Sequence, residues 1–202
     1  MANPAVLGLT CFGLITVLLN PQNAGIFKMD TSILVMGIFL GGIVQKLAVV
    51  LEYKKANTFV MTAFCSYGDF WLTLVFILIA GPYLQEPMGL EASNNGPAFY
   101  LFLWGVYTLL LFFGTLGVNR ALQFTFLTLI ALFRLLAIGF GWGNETVIKA
   151  AGAVGIFTGA SSVYLSIAEL LNKMFDRVIL PIGPAGAETY KRPEDLWVIW
   201  SP

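Results

Sequence analysis

Residues 57–80 read NTFVMTAFCSYGDFWLTLVFILIA and contain one charged side chain, Asp69. An α-helix rises about 1.5 Å per residue, so about 20 mostly apolar residues cross a hydrocarbon layer about 30 Å thick. The segment reaches that length, and it lacks the alternation of polar and apolar residues that is typical of a strand in a membrane barrel. It is therefore predicted to be a transmembrane helix.

Five more segments of this kind fill most of the 202 residues. The chain is 58% hydrophobic and 11% charged, with a mean hydropathy of +0.82. This leaves too little polar sequence to cover a soluble domain. The first segment lacks the basic region and cleavage site of a signal peptide. We predict an all-α membrane protein with six transmembrane helices, at roughly 4–20, 31–53, 57–80, 97–116, 121–140 and 146–172.

The charges between the segments predict the orientation. One side of the membrane carries seven basic residues, Lys54, Lys55, Arg120, Lys173, Arg177, Lys191 and Arg192, and the other carries Lys28 and Lys149. The positive-inside rule then puts both termini in the cytoplasm of a cell bounded by a plasma (inner) membrane. Residues 1–180 are predicted to form one transmembrane domain, and residues 181–202 a mobile cytoplasmic C-terminal tail. Trp197 and Trp200 could dock that tail on the bilayer or on a partner.

Composition excludes several classes of function. The formal net charge is zero, so no basic surface for nucleic acid is expected. The chain has no histidine, which removes the usual general base, metal ligand and proton shuttle. Cys11 and Cys65 both fall within predicted spans and have no zinc or redox spacing. With no phosphate-binding Gly-Lys motif either, we expect no metal, no cofactor and no enzymatic activity. Transport down a gradient, or coupled to ions, fits better.

Small residues in two spans predict close helix contacts. Gly37 and Gly41 are four residues apart in the second span, and Gly155 and Gly159 are four apart in the sixth. Such pairs let two helix backbones approach closely. Alternatively, the small residues could let a helix lie close to a substrate path. At the start of the first span, Asn3 precedes a proline. It could cap the helix or, with the free backbone amides, attract an anion.

A series of short motifs carries a family resemblance. The chain opens with NPAVLGL at 3–9, and GIFLGGIVQ (37–45), LEYKK (51–55), NTF (57–59), SYGDFW (66–71), FFGTL (112–116) and LPIG (180–183) follow. In order and spacing these motifs resemble the acetate uptake transporter family, the bacterial succinate–acetate permeases with their fungal relatives. The family signature is NPAPLGL, so Val6 replaces the second proline. The resemblance covers residues 2–184.

The resemblance implies a fold, a substrate and a site. It implies a ring-shaped homohexamer of six-helix subunits, each with its own path, that takes up acetate and often succinate with protons or by channel-like flux. The narrowest point of the family's path is an apolar triad, which maps onto Phe12, Tyr67 and Leu129. Tyr67 could offer a hydrogen bond to the acid while its ring contacts the methyl group. Ser162 falls where a small residue influences which acid passes. The matched motifs add five polar candidates for the path, Asn3, Gln45, Asn57, Thr58 and Ser66.

Two charges are predicted deep in the membrane. At about 1.5 Å per residue, Asp69 lies about 18 Å and Arg134 about 20 Å from the cytoplasmic ends of their spans. Around the helix axis, Asp69 is about 200° from Tyr67 and Arg134 is about 140° from Leu129. If Tyr67 and Leu129 face the path, both charges should face away from it. We predict a structural ion pair between Asp69 and Arg134, within one subunit or between two. In the competing interpretation, Asp69, Glu52 or Glu169 carries a coupled proton. Lys46 is close enough to the end of its span to reach the interface.

Other functions stay open at this stage. The nearest alternative is a hexameric channel for a small neutral solute such as urea or an amide. A non-transporting membrane scaffold or sensor is a third candidate, although the chain has no sizeable soluble domain for signalling. The motifs at 3–9 and 66–71 favour the acid transporters.

Overall fold

The computed structural model describes residues 2–85, 87–90 and 93–185. Within them lie six helices that are long and apolar enough to cross a membrane. They are α1 (Pro4–Asn23), α2 (Thr31–Tyr53), α3 (Thr58–Leu84), α4 (Asn95–Thr115), α5 (Arg120–Gly141) and α6 (Glu145–Met174). The predicted fold class of an all-α membrane protein with six transmembrane helices is confirmed. Trp197 and Trp200 lie outside the described residues.

The predicted and observed helix boundaries agree within two residues except at the ends of α1 and α3. The predicted spans end at residues 20 and 80, before Pro21 and Pro82, and a proline lacks the N–H that continues a helix. In the structure both prolines lie in the last turn of their helices, which continue to Asn23 and Leu84. One missing hydrogen bond so near a helix end is tolerated. The Asn20 side chain also donates to the Thr16 carbonyl over 2.8 Å.

Asparagine side chains determine where four helices begin. Asn3, Asn57, Asn119 and Asn144 each stand just before a helix, and each side-chain oxygen accepts a hydrogen bond from a backbone N–H of the first turn. These caps satisfy amides that have no partner inside the helix. Asn3 is thus a cap, as one of its two interpretations predicted.

Helix α2 changes its winding in the middle. Residues Gly37–Val44 form a π-helical segment between two α-helical stretches. A π segment closes its hydrogen bonds over one more residue than an α-helix, so it rotates the turns that follow. Glycines let this segment press on α3. A Cβ atom at Gly41 would lie 2.6 Å from Trp71, and one at Gly42 would lie 2.3 Å from Leu72.

Helix α1 forms the centre of the bundle and packs most closely on α6. A Cβ atom at Gly155 would lie 2.1 Å from the Asn20 side chain, and one at Gly159 would lie 2.6 Å from the Val17 backbone nitrogen. Both glycine pairs that the sequence singled out therefore serve close packing. Around α1 and α6, helix α5 contacts α4 and α6, while α2 contacts α1 and α3. The buried side chains meet in one apolar core.

All six helices have one end at the same side of the bundle, which we call the basic end because Lys54, Lys55 and Arg120 lie there. Helices α1, α3 and α5 begin at the basic end, and α2, α4 and α6 finish there. After α6 the chain returns to the loop before α5. The backbone nitrogen of Arg120 donates to the Gly183 carbonyl over 2.6 Å, and that of Ala121 donates to the Ile182 carbonyl over 3.1 Å. The first residues of the predicted tail are therefore hydrogen-bonded to the bundle.

Candidate transport path

A narrow cavity runs into the bundle from the basic end. Its volume is about 70 Å³, several times the roughly 10–15 Å³ that holds one water molecule. A solute of a few heavy atoms therefore fits. The walls are apolar stripes spaced three or four residues apart, which is the spacing of one helix face. They comprise Ala5, Leu9 and Phe12 from α1, Phe59, Ala63 and Tyr67 from α3, and Leu122, Phe126 and Leu129 from α5.

The three residues of the predicted triad line this one cavity at matching depth. Phe12 is eight residues from the start of α1, and Tyr67 and Leu129 are each nine residues from the starts of α3 and α5. At about 1.5 Å per residue, all three lie about 12–14 Å from the basic end. No other residue that lines the cavity lies deeper, since Gln45 and Leu165 are eight and nine residues from the ends of α2 and α6 and the rest are closer to the basic end. The triad therefore stands at the inner end of the cavity.

Aromatic contacts hold Tyr67 in place. Its ring centroid lies 5.5 Å from that of Phe12 and 6.2 Å from that of Phe126. Its hydroxyl donates a hydrogen bond to Thr108 Oγ1 over 3.0 Å. The Tyr67 proton is therefore directed at α4 and away from the cavity, contrary to the expectation that it would be offered to the substrate. The hydroxyl oxygen can still accept a hydrogen bond from a neutral carboxylic acid.

Gln45 is the polar residue that stands out at the triad's depth. It lies eight residues before the end of α2, also about 12 Å from the basic end at 1.5 Å per residue. Its side chain borders the cavity and is fully buried. Neither its amide nitrogen nor its amide oxygen has a hydrogen-bond partner among the described residues. Buried amides are normally paired, so an open donor and acceptor here fit a polar ligand in the cavity.

A chain of polar contacts lies at the cavity entrance. The Asn3 amide donates to Glu169 Oε2 over 2.7 Å, and Glu169 lines the cavity. Lys55 Nζ donates to Asn3 Oδ1 over 3.3 Å and lies 3.5 Å from Glu52 Oε1. Glu52 is fully buried, and no described residue donates a hydrogen bond to its carboxylate. The Lys55 ammonium group thus lies between the buried Glu52 carboxylate and Asn3 at the cavity entrance.

Four predicted path residues lie elsewhere. Asn57 caps α3, and Thr58 is the first residue of that helix. Ser66 donates to the Thr62 carbonyl and accepts from Tyr107 over 3.1 Å, in a groove on the outside of the bundle. Ser162 is buried and donates to the Leu9 carbonyl over 2.9 Å. Since Leu9 lines the cavity, Ser162 supports the wall without being part of its surface.

The predicted ion pair between Asp69 and Arg134 is wrong within one subunit. Asp69 instead pairs with Lys46 of α2. The π segment ends just before this part of α2, and its rotation brings Lys46 alongside α3, which helical spacing alone did not reveal. The Arg134 side chain is exposed and has no ion pair or hydrogen bond with any described residue. Neither Asp69 nor Arg134 lines the cavity, in agreement with the predicted directions.

Sequence reasoning missed several wall residues. Phe126 and Phe59 face each other at 6.1 Å between ring centroids, and both line the cavity. Their spacing to the triad could have identified them, because Phe126 is three residues before Leu129 and Phe59 is eight before Tyr67. Both spacings return to the same helix face.

Comparisons with known proteins agree with this geometry. The sequence profile of the GPR1/FUN34/yaaH family matches residues 1–184. The chain belongs to this family. The resemblance inferred from the motifs is thereby confirmed, and the protein is a multi-pass membrane protein like its transporter relatives.

Three similar proteins have informative names. The succinate-acetate/proton symporter SatP of Escherichia coli K12 is 54% identical over 185 residues, which cover 91% of this chain and 96% of that protein. Acetate permease A of Emericella nidulans is 33% identical, over 90% of this chain and 66% of that protein. The solved structure of the bacterial acetate channel SatP matches with a TM-score of 0.83 and 54% identity, over 91% of this chain and 99% of that one.

Proposed function

We propose that this family member transports acetate, and also succinate or related short carboxylic acids, across the plasma membrane. In this proposal residues 1–180 form the transporting domain, which acts as a transporter and not as an enzyme. Six subunits form a ring, each with its own path, and both termini lie in the cytoplasm. The names of the relatives, the match to the acetate channel structure and the excess of Lys and Arg at the basic end support these points.

The apolar cavity explains how such an acid could be selected. Moving a bare carboxylate out of water is costly, whereas a neutral acid loses far less hydration free energy. Phe12 and Leu129 offer no compensating hydrogen bond, so hydrated inorganic ions are rejected. A protonated acid can donate to the Tyr67 oxygen while its methyl group contacts the rings. Crossing in this form moves one proton with each acid.

Gln45 supplies the hydrogen-bond donors that the triad lacks, because the Tyr67 hydroxyl proton is already given to Thr108. An amide has two N–H donors and a carbonyl acceptor, which match the carbonyl and hydroxyl of a carboxylic acid. The buried, unpartnered Gln45 amide beside the triad is the observation that carries the proposal. Without a ligand it would remain a destabilising feature of the core.

Uptake by reconstituted protein tests the proposal. Vesicles that contain the protein should accumulate labelled acetate faster than protein-free vesicles, and an inward proton gradient should raise the rate. Leu129→Trp should block the cavity at the triad. Leu127→Trp is the matched control, because Leu127 is 51% exposed on the same helix whereas Leu129 is 3% exposed. Equal uptake by both variants, or no uptake by inserted wild-type protein, would contradict the proposal.

The same vesicles test the neutral-solute alternative. A channel for urea or an amide should pass labelled urea at a rate that does not depend on the proton gradient, and unlabelled acetate should not reduce the urea flux. A non-transporting scaffold should pass neither solute. The proposal expects acetate flux that responds to the gradient and exceeds the urea flux.

A further inference from the structure

Arg134 presents a charge on the outside of the subunit, within a membrane-spanning helix. It lies fourteen residues from the start of α5 and seven from its end. At about 1.5 Å per residue, this is about 21 Å from the basic end and about 10 Å from the opposite end. The side chain is exposed, and none of the described residues pairs with it. A guanidinium within the hydrocarbon layer is costly, so such an arginine either pairs with a protein group or extends toward the interface.

A complementary group lies on a different face of the same subunit. Asp69 is eleven residues from the start of α3, about 17 Å from the basic end on the same rise. Its side chain is 51% exposed although it pairs with Lys46 through Oδ1, and no described residue donates a hydrogen bond to Oδ2. The depths of Asp69 and Arg134 therefore differ by about 4–5 Å, which the long arginine side chain can span.

The two charges lie on different faces of the subunit and do not pair within it. Asp69 pairs with Lys46 at the junction of α3 and α2, and α2 otherwise contacts α1. Arg134 lies on α5, which contacts α4 and α6. Contact between two different faces of identical subunits is heterologous, and such a contact forms a closed ring when the rotation from one subunit to the next closes. Helices α3 and α5 both begin at the basic end, so they run in the same direction across such a contact.

We propose that, in the assembled ring, Arg134 of each subunit pairs with Oδ2 of Asp69 on the neighbouring subunit. Each interface then holds a cluster of Lys46, Asp69 and Arg134 that lies away from the substrate path. The inference rests on the ring in the proposed function and names the contact that closes it. A second copy of this chain fits the face better than lipid does, because it brings the half-exposed Asp69 carboxylate to Arg134, whereas an arginine that extends to a headgroup leaves Asp69 uncovered.

Thiol cross-linking tests the contact directly. In a background of Cys11→Ala and Cys65→Ala, the double variant Asp69→Cys with Arg134→Cys should form covalent dimers and higher species up to six subunits with a short bismaleimide, whose spacer replaces the reach of the arginine side chain that a disulfide lacks. Each single-cysteine variant should give no such series. An oligomer that stays intact in native mass spectrometry without cross-linking in the double variant would overturn the inference and leave the proposed transport untouched.

A second cysteine pair keeps both charges, in case their removal prevents assembly. Thr73 and Ile138 each lie four residues beyond Asp69 and Arg134, and both are exposed. Thr73→Cys with Ile138→Cys should therefore give the same series of products. Absence of cross-linking in this variant, with its oligomer intact, also overturns the inference.

Melting of the oligomer supplies an independent readout. Asp69→Asn and Arg134→Leu should each lower the dissociation temperature of the oligomer, because each leaves the other member of the proposed pair without its partner. The double variant should recover part of the loss. If the double variant loses the sum of both single effects, the two residues do not interact and the inference fails. Wild-type protein that is monomeric under all conditions would contradict the ring itself, even if acetate uptake were normal.

Discussion

The Tyr67 hydroxyl donates to Thr108 Oγ1 over 3.0 Å, and this bond fixes the ring that forms one wall of the cavity beside Phe12. Thr108 in turn donates to the Trp104 carbonyl over 2.7 Å. The position of the tyrosine ring in α3 is therefore set by α4. Because Tyr67 and Thr108 are both buried, loss of the bond leaves little room for water to replace it.

Removal of this bond should slow transport. Tyr67→Phe keeps the ring but removes the hydroxyl that anchors it and that can accept from a neutral acid. We expect slower acetate uptake and a loss of about 0.5–1.5 kcal/mol in stability, the usual net value of such a bond. Tyr107→Phe is the matched control, because Tyr107 bonds to Ser66 outside the cavity. Labelled uptake and thermal melting would measure both effects. Equal uptake rates in the two variants would contradict the role of Tyr67.

Shortening Leu129 should widen the inner end of the cavity. Leu129→Ala removes a buried side chain at the triad, and we expect it to admit larger acids such as lactate relative to acetate. The same change should cost about 2–5 kcal/mol in stability unless neighbours collapse into the space. Leu127→Ala, on the outer face of α5, should change neither property. Competition of unlabelled lactate against labelled acetate measures the selectivity, and an unchanged ratio would argue against Leu129 as a constriction.

Replacement of Gln45 should slow acetate uptake without lowering thermal stability. Gln45→Leu removes an unpartnered buried amide, so we expect unchanged or slightly raised thermal stability together with slower acetate uptake. Gln123→Leu is the contrasting variant, because the Gln123 amide donates to the carbonyls of Thr115 and Leu116. That variant should lose stability. Should Gln45→Leu melt at a clearly lower temperature and carry acetate normally, the amide would have a structural role instead.

The ring should be visible without any variant. Native mass spectrometry of the purified protein in mild detergent should show a species of six subunits. Large apolar side chains remain exposed on α4, including Phe99, Leu103 and Leu110, and they require either lipid or a neighbouring subunit. A monomer as the sole species in several detergents would count against the ring.

The sequence determined the membrane class and the helix ends because these depend on local properties. Runs of apolar residues define the spans, and Asn3, Asn57, Asn119 and Asn144 cap them with their own side chains. The motifs likewise identified the family, and the three triad residues that the resemblance implied line one cavity. The order and spacing of residues along the chain hold this information, so no tertiary contact is needed to read it.

The tertiary structure alone decided which polar groups meet. The π segment of α2 rotates the turns after Val44, which brings Gln45 to the cavity and Lys46 to Asp69. Helical spacing alone could not predict that rotation, since it assumes one constant turn. The direction of the Tyr67 hydroxyl was also beyond the sequence, because its acceptor Thr108 is forty-one residues away on another helix. The pairing of buried polar groups depends on how helices rotate against each other, whereas helix formation depends on each segment by itself.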